Sequence, residues 1–587
     1  MIRGGIMKTK QVTGLCASIF CIAFSGMQLV SAAGKYDGND GVAEITLIHI
    51  GDIHGHLIPR PHLRSDGNGE LQGGLARLYN KIEEIREENH SSLLINTGDT
   101  IQGSAEALYT RGQALVDVIN HFDIDFFAPG NWEFVYGTER FQELFAGTGA
   151  LAPWNSLAAN LYFNGPPYEN RTGERVLPPY RIITVNSVKI GVIGFTTERG
   201  PKVIGADVVK GFRFSKGDAE MAEFVPLIRP QVDVLLVISE LGLANNIRLA
   251  EANPGIDIIL SSDMHEETLE PVITSTTGTL IIEEGQDGTR LGELKLKIKD
   301  GEIVTSDFTM HVIDSKIKPD RDISKKVAKV RKPFLTGSFK SQLNPVNGTT
   351  LETPIDTIIG YTDIALHRSN YAHENMPAVI EGSSHDFLAD VFKEMTGADI
   401  GVIRGFRYGT HIAPGPIKLE DIYHYVAIGP FIAKGEVTGK QIKTIIENTT
   451  DGSLNPDPSL WRGGWLFGWS GLSYDLNPYN PVNERASNIK IYDKLSDSWK
   501  LLDLSATYTL GGYNYDSEPN LINKIPALNV VQYSDQNGSA VEGTQVVADY
   551  LKTHTANPVL NRINILAPLP APLYGNYELQ PLQGATP

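Results

Sequence analysis

Between Glu44 and Val312, short apolar runs alternate with stretches whose apolar residues recur every three or four positions, the pattern of strands and amphipathic helices in a layered α/β domain. The runs Ile45 to Ile50, Leu93 to Ile95, Phe126 to Ala128, Lys189 to Phe195, Val232 to Ile238 and Ile256 to Leu260 predict strands. Leu71, Leu75, Leu78, Ile82 and Ile85 fall on one helical face, and Leu115, Val118, Ile119 and Phe122 repeat the device. Each stripe would cover one face of a sheet.

Past this domain, taken as residues 34–315, the charged stretch Lys316 to Lys332 has room for a short helix and gives way to Gly, Ser, Asn and Pro over 337–348. That reads as a linker, 316–350. From 351 to 566, helices near His385 to Met395 and Lys440 to Glu447 among short strands predict a separate α+β domain, and the Pro-rich end, 567–587, an extended tail.

At 587 residues the chain is too long for a single core. Lys8 and Lys10, an apolar run from Val12 to Val30, and then Ser31, Ala32 and Ala33 have the form of an export leader over 1–33, with Met7 an alternative start. Gly14, Ser18, Ser25, Gly26 and Gln28 make the run a poor permanent anchor, so no stable membrane insertion is expected after processing. The mature protein would be periplasmic or secreted. Both cysteines, Cys16 and Cys21, lie in the leader, which leaves no disulfide. Its loss removes Arg3, Lys8 and Lys10 and no acid, taking the formal charge from −18 to −21 and arguing against a nucleic-acid partner.

Five of the strand-like runs end on a side chain able to bind a metal: Asp52, Asp99, Asn131, Glu240 and Asp263. In an open α/β sheet the carboxyl ends of strands converge on a crevice, so such residues can meet although distant in sequence. Asp52 and His54 are two apart in Gly51-Asp52-Ile53-His54-Gly55-His56, and Gly98-Asp99 and Gly130-Asn131-Trp132-Glu133 follow. A lone Asp after a strand also serves as a cap or turn former; it is the order and spacing of the set that is specific.

These segments resemble the metallophosphoesterase superfamily and, within it, the two-domain 5'-nucleotidases, whose pattern runs Asp-x-His, Gly-Asp, Gly-Asn-His-Glu, a His after a strand, and Gly-His-x-His. The resemblance implies an N-terminal four-layer α/β/β/α metallophosphoesterase domain and a C-terminal α+β domain of 5'-nucleotidase type that holds the substrate. It also implies two divalent ions. One would be held by Asp52, His54, Asp99 and His265, the other by Asp99, Asn131, Glu240 and Asp263, around a water that attacks a phosphate ester in line.

Four residues depart from that pattern. Trp132 stands where the family has its catalytic His, with Val135 where the acid orienting that His would be; Glu240 and Asp263 replace metal-binding histidines. With Asp52, Asp99, Glu240 and Asp263 ionised, four negative charges face two dications. Such an oxygen-rich set favours Mn²⁺, with Mg²⁺, Ca²⁺ or Fe²⁺ also suited and Zn²⁺ less so. His56 is the nearest candidate to replace the missing general acid, and Trp132 could stack on substrate or simply pack.

Other segments are similar to the thiosulfohydrolase of the Sox pathway: Gly98 to Ala105, Trp132-Glu133-Phe134-x-Tyr136-Gly137, and Arg404-Gly405-Phe406-Arg407-Tyr408-Gly409. Arg404 and Arg407 are candidates to grip a phosphate or sulfonate, while Phe431, Trp465 and Tyr513 could line a slot for a nucleotide base. Three functions follow as expectations: an exported hydrolase of nucleotides or small phosphate esters, a thiosulfohydrolase-like enzyme working on a carrier protein, or a non-catalytic binding protein.

Overall fold

A computed structural model describes residues 31–32, 41–62, 70–367, 380–404, 411–454 and 466–567. The first domain is built on two facing sheets. One has five strands in the order Glu302–Val312, Arg290–Lys299, Val42–Ile50, Ser92–Asn96, Phe126–Phe127. The other has seven, in the order Ser31–Ala32, Tyr180–Val185, Val188–Phe195, Val234–Ser239, Ile258–Ser261, Leu280–Glu283, Val272–Ile273.

The two-residue period of a strand explains the layering. Ile45 and Leu47 point into a core shared with Leu236, Ile238, Ile258 and Leu260 of the other sheet. Their neighbours Ile48 and Ile50 point the opposite way, against Leu75, Leu78, Ile82 and Ile85 of the helix Leu75–Glu88. Leu235, Val237 and Ile259 turn from the shared core toward Phe224 and Ile247, on the helices Asp218–Ile228 and Leu243–Ala252. The result is the expected α/β/β/α stack.

Most expected elements are present, with one correction. Leu71 does not belong to the first helix: it is 47% exposed in a two-residue strand paired with Arg60–Pro61, and the helix begins only after Gly73 and Gly74, both in left-handed backbone. The stretch read as a linker is anchored, because its helix Arg321–Arg331 packs Ile323 and Val327 into the first domain's core. The hairpin Arg290–Lys299 with Glu302–Val312, absent from the sequence reading, closes one edge of the five-stranded sheet.

The second domain has a five-stranded sheet, a four-stranded sheet and the helices Ser383–Thr396, Gly439–Leu454 and Gly543–Leu551, an α+β arrangement. It joins the first through a mixed apolar cluster in which Leu108, Tyr109 and Phe334 pack with Ile355, Leu419 and Tyr423. Polar ties reinforce the contact. Arg60 reaches Asp421 at 2.7 Å and Glu420 at 2.9 Å, Arg331 pairs with Glu106 and Glu420, and the hydroxyls of Tyr109 and Tyr423 are 2.7 Å apart. Among the described residues no helix is long and apolar enough to cross a membrane.

Candidate metal centre

Both sheets deliver their strand ends to one place. The loop after Val42–Ile50 is held to the loop after Ser92–Asn96 by the Asp52 N–H on the Gly98 carbonyl at 2.9 Å, and Ser262 Oγ reaches across from the other sheet to the Thr97 carbonyl at 2.6 Å. Asp52, His54, Asp99, Asp263 and His265 all adopt positive φ, from 43° to 89°. For residues with a side chain this conformation is strained, and clusters of it concentrate at functional sites. Gly130 is needed for close approach: a Cβ there would collide with Asp99 Oδ1 and Glu240 Oε1.

Two overlapping groups of buried ligand atoms result, Asp52 with His54 and His265, and Asp52 with Asp99 and Glu240, the atoms of each group lying within 4.8 Å of one another. The Nε2 atoms of His54 and His265 are 3.0 Å apart, and each is 3.5 Å from Asp52 Oδ1. His54 Nδ1 faces Gln102 Oε1 at 3.4 Å, which orients the ring. Asp99 is fixed on both oxygens, Oδ1 accepting from the Trp132 N–H at 2.7 Å and Oδ2 from Asn131 Nδ2 at 2.9 Å. Glu133 underlies the arrangement, accepting the N–H groups of Gly130, Asp99 and Thr100 at 2.7 to 2.8 Å and of Ile101 at 3.3 Å.

The electrostatics fit divalent cations. Burial, reinforced by the neighbouring carboxylates Glu133 and Asp52, holds Asp99 well above the usual carboxylate range; burial, Asp99 and Asp263 do the same to Glu240. Burial also opposes the charge on Asp52, but His265 and His54 keep it below that range. Both Glu240 oxygens and Asn131 Oδ1 are buried with no hydrogen-bond partner. Acceptors so placed are costly unless a cation uses them.

The sequence-derived ligands Asp52, His54, Asp99, Asn131, Glu240 and His265 are thus brought together. Asp263 joins them through Asn131 Nδ2, 3.4 Å from its Oδ1, but its Oδ2 is taken by Arg199. Arg199 escaped the sequence reading because it lies in a loop after the strand Val188–Phe195, outside any metal-binding spacing.

His56, the candidate general acid, lies at the contact between the domains. Its Nδ1 contacts the Ile53 carbonyl at 3.0 Å and lies 3.4 Å from Asp287, and its ring lies against His424 of the second domain, centroids 4.4 Å apart. Burial, then Arg60, pushes its pKa down to about 3, so the imidazole is neutral and cannot donate as an imidazolium. Trp132 is 9% exposed beside Asp99.

Of the substrate-binding candidates, Arg404 is half-buried, its N–H donating to Asn523 Oδ1 at 3.3 Å. Phe431 is buried at the start of the strand Phe431–Thr438. Tyr513 donates its hydroxyl to the Tyr425 carbonyl at 3.4 Å and packs its ring near Phe392. Arg407 and Trp465 lie outside the described residues.

The calcineurin-like phosphoesterase family matches residues 45–267, and the 5'-nucleotidase C-terminal domain matches 359–520. A probable 5'-nucleotidase of Treponema pallidum is 26% identical over 541 residues, covering 84% of this chain and 88% of that one. An NAD 5'-nucleotidase of Haemophilus influenzae is 23% identical, covering 87% and 90%. Among solved structures, a 5'-nucleotidase precursor of Thermus thermophilus superposes with a TM-score of 0.73 at 19% identity, covering 89% of this chain and 99% of that one. The sulfate thiohydrolase SoxB of the same organism superposes with a TM-score of 0.74 at 20% identity, covering 89% and 97%. These structures share the fold.

Proposed function

Because the chain joins a metallophosphoesterase domain to a 5'-nucleotidase C-terminal domain, we propose that it is an exported, dinuclear-metal hydrolase that releases phosphate from nucleotides or related phosphate esters. The observation that carries this reading is the buried cluster of Asp52, His54, Asp99, Glu240 and His265 at the carboxyl ends of the strands. Divalent ions, Mn²⁺ foremost, would supply Lewis acidity toward a phosphoryl oxygen and a nucleophilic water at neutral pH.

The protein's own part is positioning and charge. Asp52, His54 and His265 form one holding group, and Asp99, pinned by the Trp132 amide and Asn131, stands between it and Glu240. With Trp132 in the place of the family's catalytic His and His56 turned to the second domain, no imidazole beyond the proposed ligands is assigned to protonate a leaving group. Esters with good leaving groups, such as an anhydride or aryl phosphate, should therefore turn over fastest.

Trp132 favours a second reading, a thiosulfohydrolase-like enzyme that releases sulfate from a sulfur group on a carrier protein, since that enzyme also carries Trp after its metal-binding segment. One experiment separates the two. Mature protein loaded with Mn²⁺, Mg²⁺, Ca²⁺ or Zn²⁺ is assayed for phosphate from nucleotides and for sulfate from a thiosulfonate. Phosphate release that Asp99→Asn abolishes supports the first reading. Sulfate alone would establish the second, and metal binding with neither product would overturn both.

A further inference from the structure

We infer that Arg199 is a built-in counter-cation of the metal centre that makes its two positions unequal, one holding an ion tightly and the other, at Asp263, weakly. The inference deepens the hydrolase reading and rests on it. Glu240 and Asp263 bring two negative charges where the resemblance implies neutral imidazoles, and Arg199 returns one positive charge directly onto Asp263.

The arginine is placed by the fold. Its loop is tied at Thr196, whose N–H donates to Asn160 Oδ1 at 2.9 Å while Asn160 Nδ2 donates back to the Thr196 carbonyl at 2.8 Å. The Arg199 N–H closes the turn on Thr197 Oγ1 at 3.0 Å. From there Nη2 binds Asp263 Oδ2, with the side chain only 18% accessible.

A guanidinium neither ligates a metal nor gives up its proton at ordinary pH, so it competes for Asp263 at every working pH. A second divalent ion must share that carboxylate with a permanent charge of its own sign. On the Asp52 carboxylate, by contrast, the contacts among the described residues are the two imidazoles and the Asp263 N–H, which it accepts at 3.1 Å, none of them a guanidinium.

The test is calorimetric Mn²⁺ titration, with metal counting, of the mature protein and its variants. The wild type should bind two ions with dissociation constants at least about tenfold apart, and Arg199→Gln should tighten the weaker one by about tenfold while leaving the tighter one within about twofold. In an Asp263→Asn background the gain from Arg199→Gln should disappear. Arg199→Lys, which keeps the charge, should keep the inequality and serves if the glutamine variant fails to fold. Equal affinities in the wild type, or a weaker position that Arg199→Gln leaves unchanged, would overturn the inference. His265→Ala tests the underlying reading separately: loss of the tight ion there, with no effect of Arg199→Gln, removes only the role of Arg199. A wild-type protein that takes up no ion removes both.

Discussion

His54 and His265, separated by 211 positions in the chain, bring their Nε2 atoms to 3.0 Å from one another. Two imidazole nitrogens aimed at one point, with Asp52 Oδ1 3.5 Å from each, are arranged as ligands of a common ion. What orients the first ring is Gln102, whose Oε1 faces His54 Nδ1.

Gln102→Ala should therefore weaken the tight ion without removing any ligand. Partners of this kind typically contribute about 10- to 100-fold in metal affinity, and a loss in that range, read by competition with a fluorescent chelator, is expected. A variant that binds like the wild type would mean that the ring is held by its other contacts.

Glu133→Gln should be costly. The carboxylate accepts four backbone N–H groups, and a side-chain amide turns one acceptor oxygen into a donor that faces them. Hydrogen bonds to charged groups contribute about 1.5–3 kcal/mol each, so a loss of about 2–4 kcal/mol in chemical denaturation is expected. Metal content should fall too, since the Asp99 turn loses its support.

Acid should loosen the contact between domains. His424 is buried against His56, and burial, followed by the charges of Arg60 and His56, holds its pKa well below 6.5. The unfolded chain takes up a proton near 6.5 while the folded chain does not. Stability is therefore full above that pH and declines below it, by about 1.4 kcal/mol per unit for one such histidine. His424→Gln should flatten the decline between pH 6.5 and 4.5 in denaturant titrations; an unchanged slope would assign it to other groups.

Trp132→His together with Val135→Asp should restore the pair that the family pattern carries. For a nucleoside monophosphate, a poor leaving group, turnover should rise by about 10²-fold or more, with little change for an aryl phosphate. Steady-state rates on the two substrates provide the comparison. A gain of equal size on both would argue for relief of packing at Trp132 and against proton donation.

The strand ends were legible because three signals coincide there: an apolar run, a turn, and a ligating side chain. Ile48 and Ile50, then Asp52, carry all three. Arg199 carries none of them, and its ion pair with Asp263 exists only after two loops of one sheet meet. Leu71 continued the helical spacing of Leu75 and Leu78, yet the backbone torsions at Gly73 and Gly74 prevail over side-chain periodicity. The hairpin of Arg290–Lys299 with Glu302–Val312 was hidden by Lys295, Lys297 and Lys299, whose alternation with Leu294, Leu296 and Ile298 marks an antiparallel pair with one wet face. The contact of His56 with His424 could not be read from the sequence because the two lie in different domains.

The left-handed torsions shared by Asp52, His54, Asp99, Asp263 and His265 also bear on how such a pocket can change over evolutionary time. Outside glycine, that region of backbone space is entered most readily by Asp, Asn and His, all of them capable of coordination. Random replacement at these positions is thereby filtered toward other donors before any selection on catalysis acts. An imidazole can give way to a carboxylate, as at Asp263, while the cradle keeps its shape, so the preferred ion can drift on an otherwise constant scaffold.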